Sequence, residues 1–216
     1  MAWSSFLKAI SLKAISYLAI GDSYTFGTGA LPEFSFPSQL CQRLHSEESI
    51  NIEKPEIIAK EGWTTNELLQ AIEEANPSKN YDLVSLLIGA NNQYRGYPRA
   101  QYSREFRQLL EKAIELGNGD PTRVFVVAIP DFGATPFCAP RAAEIHQDLL
   151  WYNTEAQEIA EEYGIPFADI FPISAEAAKH EDLTADDQLH PSYKMYTLWM
   201  DVILPVARNI LKNQEA

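Results

Sequence analysis

Short apolar runs alternate along this chain with longer amphipathic stretches. Residues 15–20 are mostly apolar with a β-branched residue at each end, and they read as a buried strand. A helix follows from Ser35 to about Glu47, with Ser35 placed to cap it and Pro37 in its first turn. Residues 55–60 hold Ile57-Ile58-Ala59, a short second strand. Thr64-Thr65-Asn66-Glu67 has the pattern of a capping box ahead of Leu68, Leu69 and Ile72. Residues 82–88 form a third strand, and a helix from about Tyr102 to Leu116 ends at Gly117 and Gly119. Residues 124–129 are a fourth strand, stopped by Pro130, and a long helix runs from about Arg141 to Tyr163 before Gly164. Residues 165–170 make a fifth, shorter strand. The last helix begins near Pro191 or Ser192 and runs to about Leu211, with a bend expected at Pro205.

Strands that are apolar throughout are covered on both faces, and parallel strands need helical crossovers to provide that cover. The pattern therefore predicts an α/β fold, a doubly wound sandwich of about five parallel strands. Residues 15–216 read as one domain without repeats or linkers. Residues 1–14 read as an amphipathic extension, with Trp3, Phe6, Leu7 and Ile10 at helical spacing. In doubly wound sheets, ligands sit outside the carboxyl ends of the strands. The chemistry should follow the strands directly.

It does so at four places. Gly21-Asp22-Ser23 follows the first strand, Gly62 follows the second, and Gly89-Ala90-Asn91-Asn92 follows the third; Asp187-Gln188-Leu189-His190 precedes the last helix. A serine hydroxyl needs a base to take its proton and a group to orient that base. His190 supplies an imidazole, and Asp187 lies three residues earlier, where a turn can set its carboxylate against Nδ1–H. The Ser23 and Gly62 backbone N–H groups and the Asn91 amide are candidate donors to an oxyanion. Alone, Gly62 could be an ordinary loop glycine. Asp22 reads as a turn acceptor and Asp186 as a solvated charge.

These blocks, in this order, resemble the SGNH (GDSL-type) serine hydrolases. The resemblance spans Gly21 to His190 and implies a flavodoxin-like three-layer sandwich. It also implies Ser23 as nucleophile, Asp187 and His190 as its partners, and Ser23, Gly62 and Asn91 as the oxyanion hole. Members hydrolyse lipid esters, lysophospholipids, thioesters or acetyl groups on sugars. Two positions depart from the family: Tyr24 stands where its name implies Leu, and Asn92 where Asp is usual. A G-x-S-x-G elbow is absent around the serine, so the α/β-hydrolase fold is not supported.

Trp63, Tyr94, Arg95, Asp131, Phe132 and Phe137 also follow strand ends. They either line an acyl or alcohol pocket or pack as ordinary loop residues. His45, His146 and His180 lack a paired Ser or Asp motif and read as surface residues. The net charge of −13 disfavours nucleic acid and anionic membranes as partners. The two cysteines, Cys41 and Cys138, form no disulfide framework or zinc motif. The first apolar run is too short to span a bilayer and leads straight into the serine turn, so neither membrane insertion nor a signal peptide is expected. A cytoplasmic location follows, with secretion or a periplasmic location open if the natural start differs. Nothing in the sequence sets an oligomeric state. The expected activity is cofactor- and metal-free hydrolysis of small or short-chain carboxylic esters, by a lipid-type esterase or lysophospholipase. The alternatives are a carbohydrate acetylesterase and a non-catalytic binding module of the same fold.

Overall fold

The computed structural model describes residues 14–214, so the expected extension at residues 1–14 lies almost wholly outside the described residues. In chain order the elements are β1 (Tyr17–Gly21), α1 (Ser23–Phe26), α2 (Phe36–Glu48), β2 (Glu56–Ala59), α3 (Thr65–Ala75), β3 (Leu83–Leu87) and α4 (Ala90–Tyr94). They continue with α5 (Arg99–Leu116), β4 (Val124–Val127), α6 (Ala142–Glu162), β5 (Phe167–Ala168), α7 (Phe171–Ser174) and α8 (Tyr193–Gln214). The five strands form one sheet in the order β2-β1-β3-β4-β5, and every pairing is parallel. This is the doubly wound arrangement expected from the apolar runs.

All residues of β1, β3 and β4 are buried, as strands covered on both faces must be. Helices α2 and α8 pack together, with the Phe36 and Trp199 rings 6.5 Å apart, while α5 packs against both α3 and α6. At the feet of β1 and β3, Asp82 accepts from both the amide and the hydroxyl of Ser16 at 3.0 and 2.9 Å.

Local details differ from the pattern in instructive ways. The fifth strand shrinks to two residues, because Pro166 contributes a carbonyl to Val126 but has no N–H to extend the ladder. Helix α5 starts at Arg99, earlier than its apolar periodicity suggests, and α8 continues through Pro205 to Gln214. Ser35 occupies the N-cap of α2, yet its hydroxyl donates to the Pro32 carbonyl at 3.0 Å instead of accepting from the helix. The tight turn at Pro32–Phe34 presents that carbonyl first. The Thr64 box forms with Glu67, whose carboxylate accepts from the Thr64 amide at 2.8 Å.

Candidate active site

The serine turn is fixed from below. A Cβ on Gly21 would lie 2.2 Å from Thr25 Oγ1 and 2.4 Å from the Leu87 carbonyl, so only glycine lets β1 end this close to β3 and α1. Asp22 caps α1, its Oδ1 accepting from the Tyr24 amide at 3.1 Å. Ser23 is thereby the first residue of a helix, almost fully buried, and its backbone N–H has no partner among the described residues.

Asp22 is buried, and its Oδ2 has no partner among the described residues. Burial pushes its carboxyl up from 3.8 to about 7, against the lowering effect of the Tyr24 amide. The folded protein therefore holds this proton to higher pH than the unfolded chain does. Its ionisation costs nothing below about pH 4, costs progressively more up to about pH 7 and levels off above. Asp22→Asn removes that cost. Its melting temperature relative to wild type is expected to rise between pH 4 and pH 8; a difference constant with pH would mean that Asp22 does not titrate there.

The histidine turn is closed by its own backbone. Ala185 donates to the His190 carbonyl at 2.8 Å, Gln188 donates to the Ala185 carbonyl at 2.9 Å, and Gln188 takes φ +60. Asp187 Oδ1 accepts from the Leu189 and His190 amides, both at 2.9 Å, and Oδ2 meets His190 Nδ1 at 2.6 Å. Partial burial opposes ionisation of Asp187, but the His190 ring and the two amides outweigh it and hold the carboxyl below its usual range. The His190 side chain is 9% exposed and that of Asp187 is 41% exposed, so water reaches one side of the pair. Tyr24 connects the two turns. Its ring lies 5.7 Å from that of His190, and its carbonyl accepts from the Tyr196 hydroxyl at 3.0 Å.

Gly62 adopts φ +83, a conformation that side chains rarely take, and its amide has no partner among the described residues. Its carbonyl accepts from Arg95 at 2.5 Å. The Asn91 amide donates to the Trp63 carbonyl at 3.0 Å, which leaves its second N–H for a ligand.

Ser23, Gly62, Asn91 and His190 line one open cavity of about 190 Å³, together with Tyr94, Phe132 and Phe137. No hydrogen bond joins the Ser23 hydroxyl to His190 among the described residues. Such contacts are often long before substrate arrives. Tyr24, noted in the sequence only as a departure from the family, also lines the cavity, as do Leu189 and Glu61, which the sequence did not mark as pocket residues. Of the residues with two open readings, Trp63 does not line the cavity: its side chain packs half-buried on the core, and its carbonyl holds Asn91. Arg95 pairs with Glu67 at 3.3 Å. Asp131 turns away from the cavity, and this corrects the reading of His146 as unpaired. His146 Nδ1 meets the buried Asp131 Oδ2 at 2.6 Å, because α6 returns over the end of β4. The same helix sends the Asn153 amide to both backbone groups of Ile129, at 2.8 and 2.9 Å.

No group of residues suited to hold a metal ion occurs among the described residues, and none of their helices is long and apolar enough to cross a membrane. The model of the GDSL-like lipase/acylhydrolase family matches residues 19–198. The chain belongs to that family. It is a carboxylic ester hydrolase of the GDSL/SGNH type. None of the curated proteins matches the hydrolase in sequence. Solved structures share its fold. One is an acetylxylan esterase from Geobacillus stearothermophilus, 21% identical, with a TM-score of 0.69 over 91% of this chain and 96% of that one. Another is a psychrotrophic esterase, EstA, from a Pseudoalteromonas species, 20% identical, with a TM-score of 0.64 over 91% and 98%.

Proposed function

We propose that this hydrolase cleaves small, short-chain carboxylic esters through an acyl-enzyme on Ser23. The observation that supports it most is the Asp187–His190 pair, which sits 2.6 Å apart beside the cavity that Ser23 enters. In this reading, His190 takes the Ser23 proton as the hydroxyl attacks the ester carbonyl. Asp187 fixes the imidazole tautomer and stabilises the imidazolium, staying ionised throughout. The oxyanion receives the Ser23 and Gly62 amides and the second N–H of Asn91, all three residues lining the same cavity. His190 then protonates the leaving alcohol, and water releases the acid by the reverse sequence.

The cavity argues for a small substrate. About 190 Å³ falls below the ~300–1,000 Å³ common for ligand pockets, and its apolar walls include Tyr24, Phe132, Phe137 and Leu189. A second reading, deacetylation of carbohydrate, is favoured by the mouth. Tyr94 and Phe137 are each more than half exposed there, beside Glu61, and offer a sugar ring flat faces and a polar edge.

One panel tests both: p-nitrophenyl esters from acetate to decanoate, a lysophospholipid and acetylated xylo-oligosaccharides, with Ser23→Ala as blank. We expect kcat/KM to peak between acetate and butyrate and to fall about tenfold or more by octanoate. A rate that climbs with chain length, or a preference for the lysophospholipid, would overturn the short-chain reading. A preference of tenfold or more for acetylated sugar over simple acetate would establish the second reading.

A further inference from the structure

The loop bearing Gly62 and the short helix α4 bearing Asn91 come from different strands, yet an oxyanion hole needs their donors at a set spacing. Beneath them lies a buried polar chain. Asn92 Oδ1 accepts from the Thr65 amide at 3.0 Å, and Asn92 Nδ2 donates to the Thr65 hydroxyl at 2.7 Å. That hydroxyl in turn donates to the Glu105 carboxylate, which α5 brings in from the side. Asn92 and Thr65 are fully buried and Glu105 is 8% exposed, so water cannot replace a lost partner cheaply.

We propose that the Asn92–Thr65–Glu105 chain is the positioning device that sets the Gly62 and Asn91 donors against each other. The proposal rests on the oxyanion reading of those two residues. The chain of hydrogen bonds is directional. Position 92 must accept from an amide and donate to a hydroxyl at once, and an amide side chain does both. The hydroxyl has one proton, and it goes to Glu105. Aspartate at 92, the residue that the family resemblance leads one to expect, would set a second acceptor against that same proton. Asn92 and Glu105 are thus a matched pair. An aspartate at 92 calls for a donor at 105, so that the chain runs the other way.

The test is a polarity reversal. Asn92→Asp should lower kcat by about 10- to 100-fold at nearly constant KM, because the donors shift while the apolar walls do not. Glu105→Gln alone should stay within about threefold of wild type, since its carbonyl still accepts from Thr65. The Asn92→Asp/Glu105→Gln protein should recover most of kcat, with the introduced amide donating to the Thr65 hydroxyl and that hydroxyl donating to the introduced carboxylate. A purely structural role would lower the melting temperature and leave kcat per folded molecule unchanged, which overturns the proposal. So does a double variant no better than Asn92→Asp. If Asn92→Asp does not fold by circular dichroism, the double variant decides: folded and active supports the chain, unfolded or impaired overturns it. Asn91→Ala removes an oxyanion donor directly. It should cost about 100- to 1,000-fold in kcat; a loss under tenfold removes the oxyanion reading itself, and the positioning role with it.

Discussion

Ser23→Ala is expected to lower kcat by about a million-fold while leaving the fold intact. The size follows from nucleophile and base acting as a unit, so that removing either removes the covalent route. What survives is whatever the oxyanion donors and binding can do with water alone. The fold should tolerate the change because the hydroxyl makes no hydrogen bond among the described residues and alanine keeps the same Cβ. The turn is held instead by Gly21, by the Asp22 cap and by the Tyr196 contact to the Tyr24 carbonyl. Ester turnover, fluorophosphonate labelling and a thermal melt measure this together. A variant that retains more than about one per cent of kcat would exclude Ser23 as nucleophile.

The second large effect is expected from Asp187→Asn. Asp187 has two separate tasks. Oδ1 gathers the Leu189 and His190 amides and shapes the turn, while Oδ2 faces His190 Nδ1. Asparagine can do the first through its own carbonyl. It then turns an NH₂ toward Nδ1, which favours the tautomer protonated at Nε2, the nitrogen that must accept the serine proton. The loss in kcat should reach up to about 10,000-fold. Because the Asp187 side chain is 41% exposed, water can stand in partly at Nδ1, and the loss should fall short of that for Ser23→Ala. Steady-state kinetics on the preferred ester check it; a fall under tenfold would make Asp187 a turn-former only.

Much of this was legible in the sequence, for a physical reason. Strands buried on both faces are mostly apolar, so β1, β3 and β4 appear as apolar runs, broken in β3 only by Ser85, whose hydroxyl pairs with that of Tyr17, and the residues after them mark the sheet edge where ligands bind. The short helices α1 and α4 were not legible, because four or five residues have no periodicity; α1 forms because Asp22 caps it and Gly21 allows close approach. The pairing of His146 with Asp131 was hidden for another reason. Its partners lie on a loop and a helix whose relative placement is set by packing. The Thr65–Glu105 contact, 40 residues apart, leaves no pattern at all in one sequence. Trp63 illustrates the limit of reading side chains from loop position, since there the backbone carbonyl makes the contact that matters.

The Tyr196 hydroxyl reaches the Tyr24 carbonyl across 172 residues of chain, and the imidazole comes from the turn just ahead of the same terminal helix. In the proposed mechanism, then, the hydroxyl of Ser23 has no proton acceptor until the chain as far as His190 has left the ribosome and folded back beside β1. A nascent chain of this hydrolase is then expected to stay inert toward esters until the turn ahead of α8 docks.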